Sequence, residues 1–181
     1  HPNLVDFVNL EDEPIFSRSW QTRVEVADGV SARWQAWVAG GIGDEESGLS
    51  GQHLIAENIS NFQHDIQEPL PDVQIFNFHY AHPDAVHLNA DLHGVIGLDE
   101  TGFMPHDDLL YIIQAWRFIL SGGGLYNNLD YSFTAGNEKG DWPIPATNPG
   151  WGGRGFRKKL SYLARIMEEV PFPEMEFSDS L

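Results

Sequence analysis

The chain contains no cysteine, which excludes disulfide bridges and thiolate metal ligands. Basic residues are scarce, because ten Lys and Arg stand against 27 Asp and Glu and the formal charge is −17. Long-range repulsion therefore disfavours nucleic acid and anionic membrane surfaces as partners. No apolar run reaches the length of about 18 residues that a membrane helix needs. A basic leader followed by an apolar segment is also missing, and since the chain opens on His1 we expect either a removed leader or a fragment.

The residues that are present fit one domain with a hydrophobic core. The length of 181 residues and the hydrophobic content of 41% are both in the range of a single globular unit. Residues 1–170 are predicted to form this domain. The acidic stretch at 171–181, which contains two prolines, is predicted to be a loose tail.

Apolar segments of strand and helix character alternate along the chain. The pattern predicts five strands, at residues 4–10, 53–59, 73–80, 94–98 and 124–131. It predicts helices at residues 31–46, 83–92, 107–120 and 155–169. Such alternation is typical of an α/β fold with parallel strands and flanking helices. Both an open doubly wound sheet and part of a (β/α)8 barrel are compatible with it, but no Gly-x-Gly-x-x-Gly follows a predicted strand.

Polar side chains recur where each predicted strand ends. The apolar run at 94–98 leads directly into Asp99 and Glu100 and then a Thr-Gly turn. The other four strands end in comparable groups, among them Glu13, Asn58, His79, Tyr80, Asp130 and Tyr131. A parallel barrel builds its active site at this edge, so the repetition predicts an acid/base site for a neutral, polar substrate.

Several of these segments resemble a known family. Residues 53–61 (HLIAENISN), 76–81 (FNFHYA), 97–103 (GLDETGF) and 122–133 (GGGLYNNLDYSF) are similar to the C-terminal half of cellulase-like glycoside hydrolases of the large retaining clan. The resemblance implies a partial (β/α)8 TIM barrel of strands four to eight. It covers residues 2–167 and leaves strands one to three unaccounted for, so a missing N-terminal half or a homo-oligomer is expected.

The resemblance also implies roles for individual residues. Glu13, in the segment Asp-Glu-Pro, takes the place of the clan's acid/base, and Glu100 that of its nucleophile. Asp12 stands where the clan has an asparagine that contacts the sugar, and its charge is expected to raise the pKa of Glu13. The implied carbohydrate-binding residues are Asp12, Asn58, His79, Tyr80, Asp130, Tyr131 and Trp142. Trp151 is a further aromatic suited to stacking on a sugar.

The implied activity is retaining hydrolysis of O-glycosidic bonds, with no cofactor and no metal, by a secreted or periplasmic protein. Two alternatives stay open. A non-catalytic carbohydrate-binding relative is suggested by Asp12 and by the missing strands. A metal-dependent barrel hydrolase is suggested by four histidines that lie close together among acidic residues, namely His79, His82, His87 and His93 with Asp84 and Asp91.

Overall fold

The structure is a computed structural model that describes residues 24–59, 65–102 and 106–175. The predicted strand at residues 4–10 lies outside these residues, as do Asp12 and Glu13. Backbone contacts divide the chain into two compact units, His1–Gly97 and Leu98–Leu181, with the boundary inside a strand. The prediction of one domain over residues 1–170 stays a prediction.

Four strands of the described residues form one parallel sheet with flanking helices. They are β1 (Ala56–Ile59), β2 (Ile75–His79), β3 (Val95–Glu100) and β4 (Leu125–Tyr126), and they lie in the order β1-β2-β3-β4. Neighbours in the sheet are thus also neighbours along the chain, as expected for repeated right-handed strand–helix units. The predicted α/β class with a parallel sheet is confirmed.

The first unit contains the long helix α1 (Val24–Glu46), strands β1 and β2, and the short helix α2 (Asp84–Leu88). Its core includes the fully buried rings of Phe76 and Phe78 on β2, together with Ile55, Val73, Ala85 and Val86. The predicted start of α1 at Ser31 is wrong, because the helix begins at Val24, about two turns earlier, and Ser31 lies inside it. The predicted end at Glu46 is confirmed, so the three glycines from Gly40 to Gly43 do not end the helix.

The second unit contains α3 (Asp108–Leu120), β4, α4 (Arg154–Glu169) and a 3-10 turn (Phe172–Glu174). Helix α3 begins as predicted, since the carboxylate of Asp107 accepts the backbone N–H of Leu109 at 2.8 Å. It stops before Gly122, whose φ of +102° suits glycine. The core consists mainly of Leu98, Tyr111, Ala115, Phe118, Ile119, Phe156 and Leu163.

Two predicted strand boundaries are wrong in ways that affect the candidate site. Strand β3 continues through Glu100, so Asp99 and Glu100 are the last residues of the strand instead of the first residues of a loop. Strand β4 ends at Tyr126, whereas the strand was predicted to reach Tyr131. Beyond this end the chain turns, where the carboxylate of Asp130 accepts the N–H of Ser132.

Within the described part of the chain, no helix is both long enough and apolar enough to cross a membrane.

Candidate functional site

In the first unit, β1 and β2 carry buried polar side chains toward their carboxyl ends. The parallel register pairs Asn58 with Asn77, and both side chains are buried. His79, the last residue of β2, is buried as well, and its ring meets that of Tyr80 edge-on with 6.2 Å between centroids. Tyr80 has a φ of +57°, in the left-handed region, which non-glycine residues adopt at a cost in free energy. Residues with such a backbone conformation cluster at functional sites. The structure therefore places Asn58 within β1, His79 at the end of β2 and Tyr80 directly after it, and their binding of a sugar stays a prediction.

In the second unit, Glu100 ends β3 beside the polar end of β4. The N–H of Asn127 donates to Leu98 O at 2.8 Å, and the N–H of Leu129 donates to Thr101 O at 2.8 Å. A regular parallel ladder advances by two residues on both strands between such bonds. Here the residues that follow β4 advance by two, from Asn127 to Leu129, and the β3 side advances by three, so one extra residue lies in the Asp99–Thr101 stretch. This is the arrangement of a β-bulge, which re-aims side chains next to functional sites.

Asn128 lies opposite this bulge with its side chain enclosed. Only 6% of the residue is exposed, and neither its Nδ2 nor its Oδ1 has a hydrogen-bond partner. An unmade hydrogen bond on a buried polar group costs about 1–3 kcal/mol. Gly102, with a φ of +105°, makes room for the amide, because a Cβ on Gly102 would lie 2.5 Å from Nδ2 and 2.7 Å from Oδ1.

A chain of hydrogen bonds behind the bulge fixes the end of β3 to α3. Thr101 Oγ1 donates to Gln114 Oε1 at 2.8 Å, and the hydroxyl of Tyr126 lies 3.2 Å from the same oxygen and 3.1 Å from Tyr111 O. Burial raises the pKa of Tyr126 far above its ordinary value, an effect that the neighbouring amide of Asn128 partly opposes. That amide lies near the hydroxyl without meeting hydrogen-bond geometry. Tyr126 is therefore a neutral structural group.

Asp130, a predicted carbohydrate-binding residue, is held by contacts within the protein. Its Oδ1 accepts the N–H groups of Ser132 and Gly153, both at 2.9 Å, and its Oδ2 pairs with Nη1 of Arg157. Arg157 also donates to Gly140 O at 2.7 Å. Burial acts to raise the pKa of Asp130, but the hydrogen bonds from Ser132 and Arg157 outweigh it and hold the pKa below its ordinary value. These bonds favour a structural role as the anchor of the loop at residues 130–153, and sugar binding by Asp130 stays a prediction.

Trp151 connects this loop to the end of β3. Its backbone N–H donates to Gly102 O at 2.6 Å, and its indole N–H donates to Asp108 Oδ1 at 2.7 Å. Its ring stacks on His106 with 4.9 Å between centroids. The predicted residue Tyr131 joins the same group, because its N–H donates to Trp151 O at 3.2 Å. Two backbone hydrogen bonds thus connect Tyr131, through Trp151, to Gly102, which follows the bulge that contains Glu100.

Trp142 is connected to the site only indirectly. Its backbone N–H donates to Ser132 O at 3.1 Å, and its side chain is partly exposed. The contacts that sequence reasoning missed are the ion pair of Asp130 with Arg157 and the stack of His106 on Trp151. Asp130 and Ser132 have the spacing of an Asx turn, a local signal that was available. Arg157 lies 27 residues beyond Asp130, so no local pattern links the two.

The second unit contains a recess away from Glu100. It has a volume of about 380 Å³ and lies between α4 and the end of β4, lined by Tyr126, Arg157, Leu160 and Leu163 among others. Glu100 does not line this recess.

The four histidines considered as metal ligands do not assemble into a site. Among the residues that the structure describes, no group of three or more His, Asp or Glu side chains is placed to hold a metal ion. Instead, Nδ1 of His82 lies 3.1 Å from a carboxylate oxygen of Asp84, and both side chains are exposed. The metal-dependent alternative gains no support from this arrangement.

The chain was compared with protein-family models, with curated proteins and with solved structures, and none of the three comparisons gives a match.

Proposed function

We propose that the chain is a retaining glycoside hydrolase built on a partial (β/α)8 barrel, with Glu100 as the nucleophile. One observation carries the proposal: Glu100 is the last residue of β3, at the carboxyl edge of a parallel sheet. Parallel barrels place reacting side chains at this edge. The bulge at Asp99–Thr101 adds to this support, because β-bulges are over-represented next to active sites, where they change the direction of a side chain.

The surroundings of Glu100 support a carbohydrate as the substrate. Asn128 is a neutral amide, and Tyr131 and Trp151 provide aromatic rings of the kind that stack on sugar faces. The net charge of −17 favours a neutral substrate over an anionic one.

The mechanism requires two carboxyl groups about 5–5.5 Å apart. The Glu100 carboxylate attacks the anomeric carbon and forms a glycosyl ester, while Glu13 gives its proton to the departing oxygen. Glu13 then takes a proton from water, and the resulting attack at the anomeric carbon releases Glu100. The role of Glu13 rests on the resemblance of residues 12–14 to the Asn-Glu-Pro motif, in which Asp12 replaces the asparagine.

A second candidate is a non-catalytic carbohydrate-binding protein of the same fold. It is favoured by Asp12, since an aspartate lacks the amide donor that the motif uses for a sugar hydroxyl. This candidate predicts sugar binding without turnover.

Kinetics with a panel of activated aryl glycosides tests both candidates. If Glu100 is the nucleophile, Glu100→Ala lowers turnover by about 10³-fold or more. Azide then restores activity, because a small anion can attack the anomeric carbon in the space that the side chain leaves. The wild-type product keeps the anomeric configuration of its substrate.

Three results would contradict the proposal or replace it. Unchanged turnover in Glu100→Ala would exclude Glu100 as the nucleophile. Product of inverted configuration would exclude the retaining mechanism. Sugar binding without turnover, unaffected by Glu100→Gln, would favour the non-catalytic candidate.

A further inference from the structure

We propose that the open edge of β4 and the recess beside it bind an extended acidic peptide of another protein, which adds a strand to the sheet. The site lies within the second unit, and the proposal is independent of the glycosidase activity. Among the described residues, β4 is the last strand in the order β1-β2-β3-β4, so only its β3 side is paired. An edge strand presents backbone N–H and C=O groups that can pair with another chain.

The backbone of β4 shows which groups an added strand can reach. The N–H of Asn127 donates to Leu98 O at 2.8 Å, so Asn127 faces β3. In a parallel sheet, successive residues of a strand bond alternately to the neighbours on its two sides. Tyr126 therefore directs its N–H and C=O away from β3, and Gly124, two residues earlier, has the same direction. These are the groups that the peptide backbone pairs with.

The recess lies along this same edge. Gly124 and Tyr126 line it from the sheet, and Leu160, Ala164 and Met167 line it from α4. When a peptide binds by strand addition, backbone hydrogen bonds give affinity, and pockets for alternate side chains give specificity. The edge supplies the backbone groups, and the recess of about 380 Å³ supplies an apolar pocket. The site therefore suits an extended peptide with apolar residues at alternate positions.

The charge of α4 selects an acidic peptide. The stretch Arg154–Arg165 contains five of the ten Lys and Arg residues of the chain and no acid. Arg157 lines the recess, although its charge is paired with that of Asp130. At 3.6 residues per turn, Lys158 and Arg165 lie on the exposed side of α4 next to the lining positions. Both are exposed, and neither has an acidic partner within the part of the chain that the structure describes.

This local charge acts against the net charge of −17, which repels an acidic peptide at long range. Salt screens exposed charges beyond about 8 Å at physiological ionic strength. Once the peptide is at the edge of β4, the basic residues of α4 are therefore the charges that it meets. A basic peptide is attracted from a distance but meets like charges at the recess.

The probe is the peptide Glu-Thr-Leu-Thr-Leu-Thr-Glu, blocked at both ends. Its control peptides carry lysine for both glutamates, serine for both leucines, or N-methyl groups on one leucine and the next threonine, which prevent strand pairing on either side. In protein labelled with ¹⁵N-tyrosine, the backbone amide resonance of Tyr126 is assigned by its loss in Tyr126→Phe. We expect the probe to shift this resonance. The N-methylated peptide should leave it unchanged, and the lysine and serine peptides should bind more weakly.

Matched variants test the recess and the charge separately. Ala164→Phe fills the recess and should weaken binding about tenfold or more, while Ala135→Phe, in an exposed turn, should not. Lys158→Gln combined with Arg165→Gln should weaken binding about fivefold at about 50 mM salt and much less at about 500 mM. Arg117→Gln, at an exposed position of α3 outside the recess, should leave the affinity unchanged.

The other outcomes overturn the proposal or one part of it. A Tyr126 amide resonance that the probe does not shift overturns the site. Equal binding of the N-methylated peptide overturns strand addition, and equal binding of the lysine peptide overturns the acidic chemistry. If only a chain that ends at Met175 binds the probe, the edge belongs to residues 176–181 of the same chain, and a separate partner is excluded.

Discussion

The side-chain amide of Asn128 packs directly against the Cα of Gly102, at a distance that only glycine permits. A Cβ at residue 102 would lie within 2.8 Å of three atoms of the amide. Gly102 directly follows the bulge that contains Glu100, so this pair lies beside the candidate site. Each partner of the pair can be altered separately.

Gly102→Ala is expected to destabilise the protein by about 2–4 kcal/mol. The left-handed backbone costs a residue with a Cβ about 1–2 kcal/mol, and overlap with Asn128 adds a further cost of about 1–3 kcal/mol. Gly153→Ala is the matched control, because Gly153 has a similar φ of +114° and nothing within 4 Å of its added Cβ. Urea denaturation of both variants measures the difference. Equal losses in the two would show that Asn128 does not pack against Gly102.

Asn128→Leu and Asn89→Leu are expected to have opposite effects on stability. Replacing an unsatisfied buried amide by an apolar group is neutral or stabilising, whereas Asn89→Leu leaves Ala85 O and the N–H of Ile66 without a partner. We expect a loss of about 2–4 kcal/mol for Asn89→Leu and a change within about 1 kcal/mol for Asn128→Leu. Thermal unfolding followed by circular dichroism gives both values. A large loss for Asn128→Leu would mean that its amide is satisfied after all.

The ion pair of Asp130 with Arg157 is expected to contribute to the pH dependence of stability. The folded pKa of Asp130 is below the ordinary value of 3.8, so its contribution is present above that value and is lost as the pH falls through the folded pKa. Asp130→Asn should cost about 2–4 kcal/mol near neutral pH and less in acid. Asp141→Asn, which alters an exposed pair 3.9 Å from Arg154, should cost less than about 0.5 kcal/mol. Chemical denaturation at several pH values, from neutral to strongly acidic, measures the two losses of stability. A loss for Asp130→Asn that is the same at every pH would contradict this prediction.

Glu46, in the first unit, is also expected to stabilise the fold less as the pH falls. The backbone N–H of His53 donates to Glu46 Oε2 at 2.8 Å, and the His53 ring pairs with Oε1. These bonds, the backbone bond first, lower the pKa of Glu46 from its ordinary value of 4.5. The stabilisation is therefore present above about pH 4.5 and is lost as the pH falls through the lowered pKa. Glu46→Gln should flatten the acid limb of the stability curve, while Glu45→Gln, at an exposed neighbouring position, should leave it unchanged.

Patterns within a few residues of sequence predicted much of the fold. The features that they did not predict depend on contacts between residues that are distant in sequence. Helix α3 was predicted at residues 107–120, because its apolar residues and the glycine that follows them lie close together in the sequence. The end of β4 was placed too late, because the turn at Asp130 also depends on Arg157, which is distant in sequence. The position of Glu100 at a strand edge was predictable from an apolar run that ends in acids. The bulge beside it depends on hydrogen bonds between β3 and residues 127–129, and no pattern within one strand reveals it.

Trapping of the nucleophile tests the central claim most directly. An activated 2-deoxy-2-fluoro glycoside reacts with a retaining glycosidase by losing its aryl oxide and leaving the sugar as an ester on the attacking carboxylate. We expect mass spectrometry to find one fluorosugar per chain, on Glu100 within the peptide that contains residues 97–103. Glu100→Gln should abolish the label, and Asp99→Asn should leave it on Glu100. A fluorosugar found on Asp99 or any other residue, or turnover of aryl glycosides with no trapped ester, would contradict the assignment of Glu100.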